Sequence, residues 1–187
     1  MISKRARVHA VAAAVIGWLT LSGGVAAAAS NITYSASGTF AAVPMSGTDT
    51  FKLAGQPFNI NVVVSSATVP FKTGSNWAAY NKLRMTGQIT SGLLSTPVSI
   101  ASNQATIIQA ISPGKFDQFT IEAPLRILGL SITIKAVVIM PIGTITRPLL
   151  QPFTAPVSMA PSNATMTYND SNANTELAIQ SGTLNAK

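Results

Sequence analysis

Asp117–Pro141 reads DQFTIEAPLRILGLSITIKAVVIMP. In its first half Phe119, Ile121, Ala123, Leu125 and Ile127 alternate with Gln118, Thr120, Glu122, Pro124 and Arg126. A period of two belongs to a strand with one buried face. After Leu128-Gly129 the alternation resumes. Leu130, Ile132, Ile134, Ala136, Val138 and Met140 share one face, and Ser131, Thr133 and Lys135 the other, which turns apolar at Val137 and Ile139.

A two-residue turn at Leu128-Gly129 sets Ile127 opposite Leu130, Leu125 opposite Ile132, and Glu122 opposite Lys135. A four-residue loop from Ile127 to Leu130 keeps that register. A three-residue loop slips it by one and sends a whole side-chain set to the wrong face, so an even loop is expected. The Glu122–Lys135 cross-strand pair is worth about 0.2–1 kcal/mol. Leucine suits the first position of neither favoured tight turn, because both need φ > 0 there. The alternative is one long strand kinked at Gly129. Pro124 cannot donate to a ladder and belongs on an edge or at a bulge.

Outward from this stretch the same grammar repeats. Phe58, Ile60, Val62 and Val64 alternate with Asn59, Asn61 and Ser65, and Leu83 to Leu93 alternates likewise. Short strands are expected at Asn31–Phe40, Thr50–Leu53, Phe153–Met159 (an edge, given Pro156), Ala164–Tyr168 and Glu176–Leu184. Val98–Ala101 and Ala105–Ile111 read as a hairpin around Ser102-Asn103-Gln104, and Trp77–Leu83 could hold one helical turn. Ser37-Gly38-Thr39-Phe40 and Ser181-Gly182-Thr183-Leu184 echo each other, a cue that the first and last strands pair. About ten short strands with turn signals every eight to twelve residues give an all-β fold, an antiparallel β-sandwich or, alternatively, a small closed β-barrel.

The first 29 residues are different. Lys4, Arg5 and Arg7 precede an apolar run, Ala10 to Leu21, and Ala27-Ala28-Ala29 closes the segment. This is the layout of a secretory signal peptide, expected as a helix ahead of one all-β domain, residues 30–187, with cleavage near Ala29. The apolar run is short for a membrane span, which needs about 20 residues. The expected localisation is secreted, periplasmic or cell-surface. In composition alone the chain resembles exported bacterial proteins.

Only 9% of the 187 residues are charged, against about 25% in an average soluble domain. Once the leader's three basic residues are gone, nine basic and five acidic residues remain, a net charge of +4. The bases are scattered singly, which excludes the clustered footprint of a nucleic-acid binder. There is no cysteine, so a secreted form relies on its core without disulfides. An outer-membrane barrel fits the strand lengths, but it should show aromatic girdles, and aromatics are 6% of the chain.

The only histidine, His9, lies in the leader. The remaining chain has no imidazole for general base work or a Ser-His-Asp triad. The acids are Asp49, Asp117, Glu122, Asp170 and Glu176. A glycosidase needs two carboxylates facing one cleft, whereas Asp117 and Glu122 fall on opposite faces of one strand. No catalytic residue, metal ligand or cofactor is expected. The loop Asn169-Asp170-Ser171-Asn172 with Glu176 lacks the spaced carboxylates of a calcium site.

Trp77, Tyr80, Lys82 and Arg84 are the candidate ligand contacts, two large aromatics and two cations in a Gly/Ser/Asn-rich stretch; the structural reading has the aromatics anchoring a loop. The expectation is therefore a non-enzymatic, exported binding or surface-structural module, its partner a carbohydrate, a lipid or another surface protein. The alternatives are a small barrel carrying a lipid-like ligand, with Met85, Met140, Met159 and Met166 as adaptable lining, and a glycan-active enzyme.

Overall fold

The computed structural model describes residues 30–94, 96–112, 114–145, 150–169 and 174–187. The leader, Arg147 and Asp170 lie outside the described residues. Ten strands follow one another: β1 (Asn31–Phe40), β2 (Pro57–Ser65), β3 (Lys72–Thr73), β4 (Trp77–Ile89), β5 (Val98–Ser112), β6 (Phe116–Ile127), β7 (Leu130–Met140), β8 (Val157–Met159), β9 (Ala164–Asn169) and β10 (Asn174–Ala186). All pairings are antiparallel.

The sheet order is β1-β2-β4-β5-β6-β7-β9-β10, and β1 pairs back onto β10. Eight strands therefore close into a barrel. Of the two all-β arrangements the sequence allows, the closed barrel is the one adopted, because the first and last strands find each other and leave no second sheet to form a sandwich. Ser37↔Thr183, Gly38↔Gly182 and Thr39↔Ser181 are directly opposed at this seam, so the two echoing sequences meet. β3 adds to β4, and β8 takes the place of β9 along the second half of β10. β8 is an edge strand, as Pro156 just before it suggests.

The stretch Asp117–Pro141 forms the expected hairpin. Ile127 faces Leu130, Leu125 faces Ile132 and Glu122 faces Lys135. The turn is the tight two-residue kind, with φ 53° at Leu128 and 83° at Gly129, so leucine occupies a conformation that asparagine or glycine adopts more readily. The β5–β6 ladder stops at Thr106↔Glu122, two residues before Pro124. The missing N–H therefore costs that ladder nothing.

Three local expectations are corrected. Thr50–Leu53 is not a strand. The Asp49 carboxylate takes the N–H groups of Leu53 and Ala54 and bends the chain into a turn. Val98–Ile111 is one strand rather than a hairpin, since both halves pair with β4, and a register shift opposite Leu83–Met85 absorbs Ser102–Gln104. Trp77–Leu83 is strand and not helix. A bulge between Tyr80 and Leu83, with Lys82 at φ 56°, resets the alternation there. Without it, Lys82 would follow Tyr80 into the interior.

Inward positions form one apolar core: Tyr34, Ile60, Val62, Met85, Ile107, Phe119, Ile121, Ile134, Met166, Leu177 and Leu184 among others. Outward positions are mostly Ser, Thr, Asn, Gln and charged residues, such as the bonded trio Ser35, Asn61 and Asn59. This is the reverse of a membrane barrel, whose outer wall is apolar. Among the described residues no helix is long and apolar enough to cross a membrane. The loop 41–56 plugs one mouth with Phe51 and Leu53. At the other mouth Phe153 packs against Tyr34 and Phe119.

The chain's three tyrosines, Tyr34, Tyr80 and Tyr168, are all buried. Burial pushes Tyr34 up to about 12; a hydrogen bond from Gln109 partly opposes this, and Tyr80 adds to it. Tyr80 and Tyr168 are raised as well, each chiefly by burial. A raised phenol pKa means that the fold favours the neutral form. Stability from Tyr34 is thus fully present below pH 10 and is lost as pH climbs from 10 toward 12, by about 3 kcal/mol. Denaturant titrations across that range should show the fall, with tyrosinate absorbance rising in step with unfolding. A tyrosinate signal that saturates near pH 10 in the folded protein would contradict it.

Candidate functional site

The end of the barrel that carries the termini also carries the β3–β4 turn. There the Gly74 N–H donates to the Trp77 carbonyl at 2.9 Å. The indole lies against Gly74 so closely that a Cβ at that position would sit 2.2 Å from Nε1. Glycine is what lets the ring come this close to the turn. Trp77 then starts β4 opposite Ala110 of β5 and faces outward, 39% exposed.

Beside it an open groove of about 480 Å³ runs along the outer wall, lined by Asn76, Trp77, Ile108, Ala110, Ile111, Ser112 and Phe116. The β5 and β6 alternation that fills the core with Ile107 and Phe119 turns Ile108, Ala110 and Phe116 the other way. Asn76 and Ser112 supply polar edges to an otherwise apolar floor. Lys115 immediately precedes Phe116 in the chain, and the Lys72 ammonium sits 5.8 Å from the Phe71 ring centre.

The sequence candidates do not converge. Trp77 is on the wall, but Tyr80, three residues on, points into the barrel and is buried. The two aromatics therefore cannot form one stacking platform, and this corrects the expectation that grouped them. Lys82 and Arg84 are exposed on the outer face of β4, past the bulge and outside the groove. In their place the fold brings Phe116, Ile108, Ala110 and Ile111 to Trp77. Only the long-range β4–β5–β6 register reveals them, and no local pattern in the sequence carries it.

Glu122 and Lys135 are directly opposed as expected. They lie in a wider open depression of about 1230 Å³ over β6, β7 and β9, which also holds Arg126, Thr167 and Asn169. It has charges and hydroxyls but no aromatic ring. Asp117 points inward at the start of β6 and accepts the Ile145 N–H at 2.9 Å, so it is on the opposite side of the wall from Glu122. Asp49 is buried at the far mouth, bonded to Leu53, Ala54 and Tyr168. Most of the Asn169–Asn172 loop lies outside the described residues. Among those described, no three potential metal-binding side chains of the His, Cys, Asp and Glu kind come together. Asn163 uses its side chain to tie Ile139, Ser158 and Ala160 together.

No family model, curated protein or solved structure matches the chain.

Proposed function

We propose that the protein is an exported, non-enzymatic binding module that takes a carbohydrate on the Trp77 groove. The observation that carries this is a half-exposed indole packed against Gly74 on the outer wall, beside a groove with an apolar floor and polar edges. The C–H face of a sugar ring packs on such an indole while its hydroxyls bond the edges. Against the enzyme reading, two of the four described carboxylates, Asp49 and Asp117, are buried at opposite mouths, and the other two, Glu122 and Glu176, share one outward row but are held apart by Lys135 on β7 and Thr167 on β9. Against the carrier reading, Met85, Met140, Met159 and Met166 belong to one continuous packed core, with Phe51 and Leu53 in one mouth. A carrier would still bring an apolar mass with it in native mass spectrometry.

Trp18 and Trp77 are the chain's two tryptophans, so protein starting at Ser30 has Trp77 as its single indole fluorophore. Titration with a panel of soluble polysaccharides should change its emission saturably for at least one of them. By affinity electrophoresis, Trp77→Ala should weaken that ligand about tenfold or more and leave the circular dichroism unchanged. Failure of the whole panel to perturb the emission, or unchanged binding by the variant, would reject the reading.

A further inference from the structure

A lysine stands to either side of the Trp77 groove. Lys72 of β3 is opposite Ala79 of β4, and Ala79 is opposite Ile108 of β5. Directly opposed residues share a face of the sheet, and so do residues two apart on one strand. Lys72, Trp77, Ile108 and Ala110 therefore belong to one outer face, and Lys72 is exposed. On the other side is the β5–β6 turn, where the Lys115 N–H donates to the Ser112 carbonyl at 3.0 Å. That turn joins Ser112 to Phe116, both residues of the groove, and Lys115 is exposed as well.

The described carboxylates do not offset this pair. Asp117 is close to Lys115 in the chain, but it points inward and accepts the Ile145 N–H. Asp49 is buried at the far mouth. Glu122 has Lys135 directly opposite, and Glu176 is on β10, four strands round the barrel from β5. The two open hollows of the outer wall thus differ in kind. The wider one mixes Glu122 with Arg126 and Lys135. The Trp77 groove has an uncharged lining and lysines beside it.

An apolar floor takes the face of a sugar ring, and ammonium groups at the rims complement anionic substituents on the same chain. β3 and β5 are two strand spacings apart, about 10 Å, and Lys115 lies beyond the end of β5. That span is wider than one sugar ring, so it is successive rings of a polymer that reach both lysines. We infer that the ligand of this groove is an anionic polysaccharide, with one ring on Trp77 and its charged groups beside Lys72 and Lys115. The inference rests on the carbohydrate reading and narrows it. Lysine is a point charge that selects no particular anion geometry, so carboxylate and sulfate substituents both fit. A nucleic acid, another anionic sugar polymer, calls for clustered basic residues, whereas these two stand singly.

The test compares matched polymers by indole emission and affinity electrophoresis, using protein starting at Ser30, which contains all ten strands. One pair is polygalacturonate and its methyl ester, the other dextran sulfate and dextran. In at least one pair the charged polymer should bind about tenfold or more tighter than its neutral counterpart, and that pair identifies the anion. In 1 M salt, where charges are screened beyond about 3 Å, the margin should disappear. Lys72→Gln and Lys115→Gln should each weaken the charged polymer about two- to fivefold and leave the neutral one unchanged, which a misfolded variant cannot do. Lys187→Gln, an exposed cation on the β1–β10 seam across the barrel, should change neither. Equal, Trp77-dependent binding of charged and neutral polymers overturns the inference and leaves the carbohydrate reading standing. Silence from all four polymers overturns both. An equal loss in Lys187→Gln would mean diffuse charge rather than a site and also overturns it, as does a single-stranded DNA oligomer that binds through Trp77 more tightly than every polysaccharide.

Discussion

Gly182→Val should destabilise the barrel by about 3 kcal/mol or more, enough to shift a denaturation midpoint far outside error. Gly182 faces Gly38 across the seam between β1 and β10. A Cβ on Gly182 would lie 2.4 Å from the Ser37 carbonyl oxygen, 3.0 Å from the Gly38 Cα and 2.9 Å from the Met159 Cε. From the other side, a Cβ on Gly38 would lie 2.3 Å from the Ser181 carbonyl oxygen. Most of these neighbours are backbone atoms in a hydrogen-bonded ladder, so no rotamer change can make room. The strands must move apart, and forced overpacking of this kind costs about 1–3 kcal/mol even where side chains can yield.

The seam is also the join that closes the sheet, so the loss does not stay local. Parting it bares two long edges, β1 and β10, and free edges invite pairing between molecules. Soluble aggregates should therefore accompany the lower midpoint. Ser181→Ala, next to it but exposed, should change stability by no more than about 0.5 kcal/mol. Because the two glycines share one contact, Gly38→Ala and Gly182→Ala should combine non-additively. A Gly182→Val protein that unfolds with the wild-type midpoint would mean that the seam is looser than the geometry shows.

The same seam shows how much of the fold could be read ahead of the structure. The register of the hairpin from Asp117 to Met140 is legible, down to Glu122 facing Lys135, because it depends on neighbours in sequence; the tight turn itself is not, since Leu128 argues for one long strand kinked at Gly129 instead. Pairing of the termini was legible only as the Ser-Gly-Thr echo. Closure itself was not, since a barrel and a sandwich use the same alternating strands and differ in one long-range pairing. The bulge at Lys82 hid the phase of β4. Alternation from Leu83 onward gives the correct inward set, but extended backwards it turns Tyr80 outward and Trp77 inward, the reverse of their places in the structure. Of the candidate ligand contacts, Trp77 alone borders the groove, and its neighbours from β5 and the start of β6 are set by tertiary register. The turn at Asp49 reads as a strand because apolar residues at positions 51 and 53 mimic one, while the carboxylate that bends the chain comes before them.

That carboxylate supports the second large prediction. Asp49→Ala should cost about 3–5 kcal/mol. One oxygen accepts the Leu53 N–H and the Tyr168 hydroxyl, both at 3.0 Å, and the other accepts the Ala54 N–H at 2.7 Å. Hydrogen bonds to a charged acceptor contribute about 1.5–3 kcal/mol each, and buried donors left without a partner carry a desolvation cost besides. The group also holds the plug in place. Phe51 meets the Tyr168 ring edge-on at 5.3 Å, and Leu53 is fully buried. With the turn released, both lose their seat in the mouth. Tyr168→Phe removes the hydroxyl that Asp49 and, at longer range, the Thr48 carbonyl accept from, and keeps the ring, so it should cost about 1 kcal/mol. Asp49→Asn keeps the shape but supplies one acceptor oxygen where two were used, and should fall between the two. The ordering, measured by urea denaturation, separates the plug from a generic surface effect. Equal, small losses in all three variants would show that loop 41–56 rests on the barrel without holding it shut. The expected order also predicts that hydrogen exchange at the Leu53 and Ala54 amides speeds up in Asp49→Asn before the strand amides of β9 do, because the mouth opens before the wall.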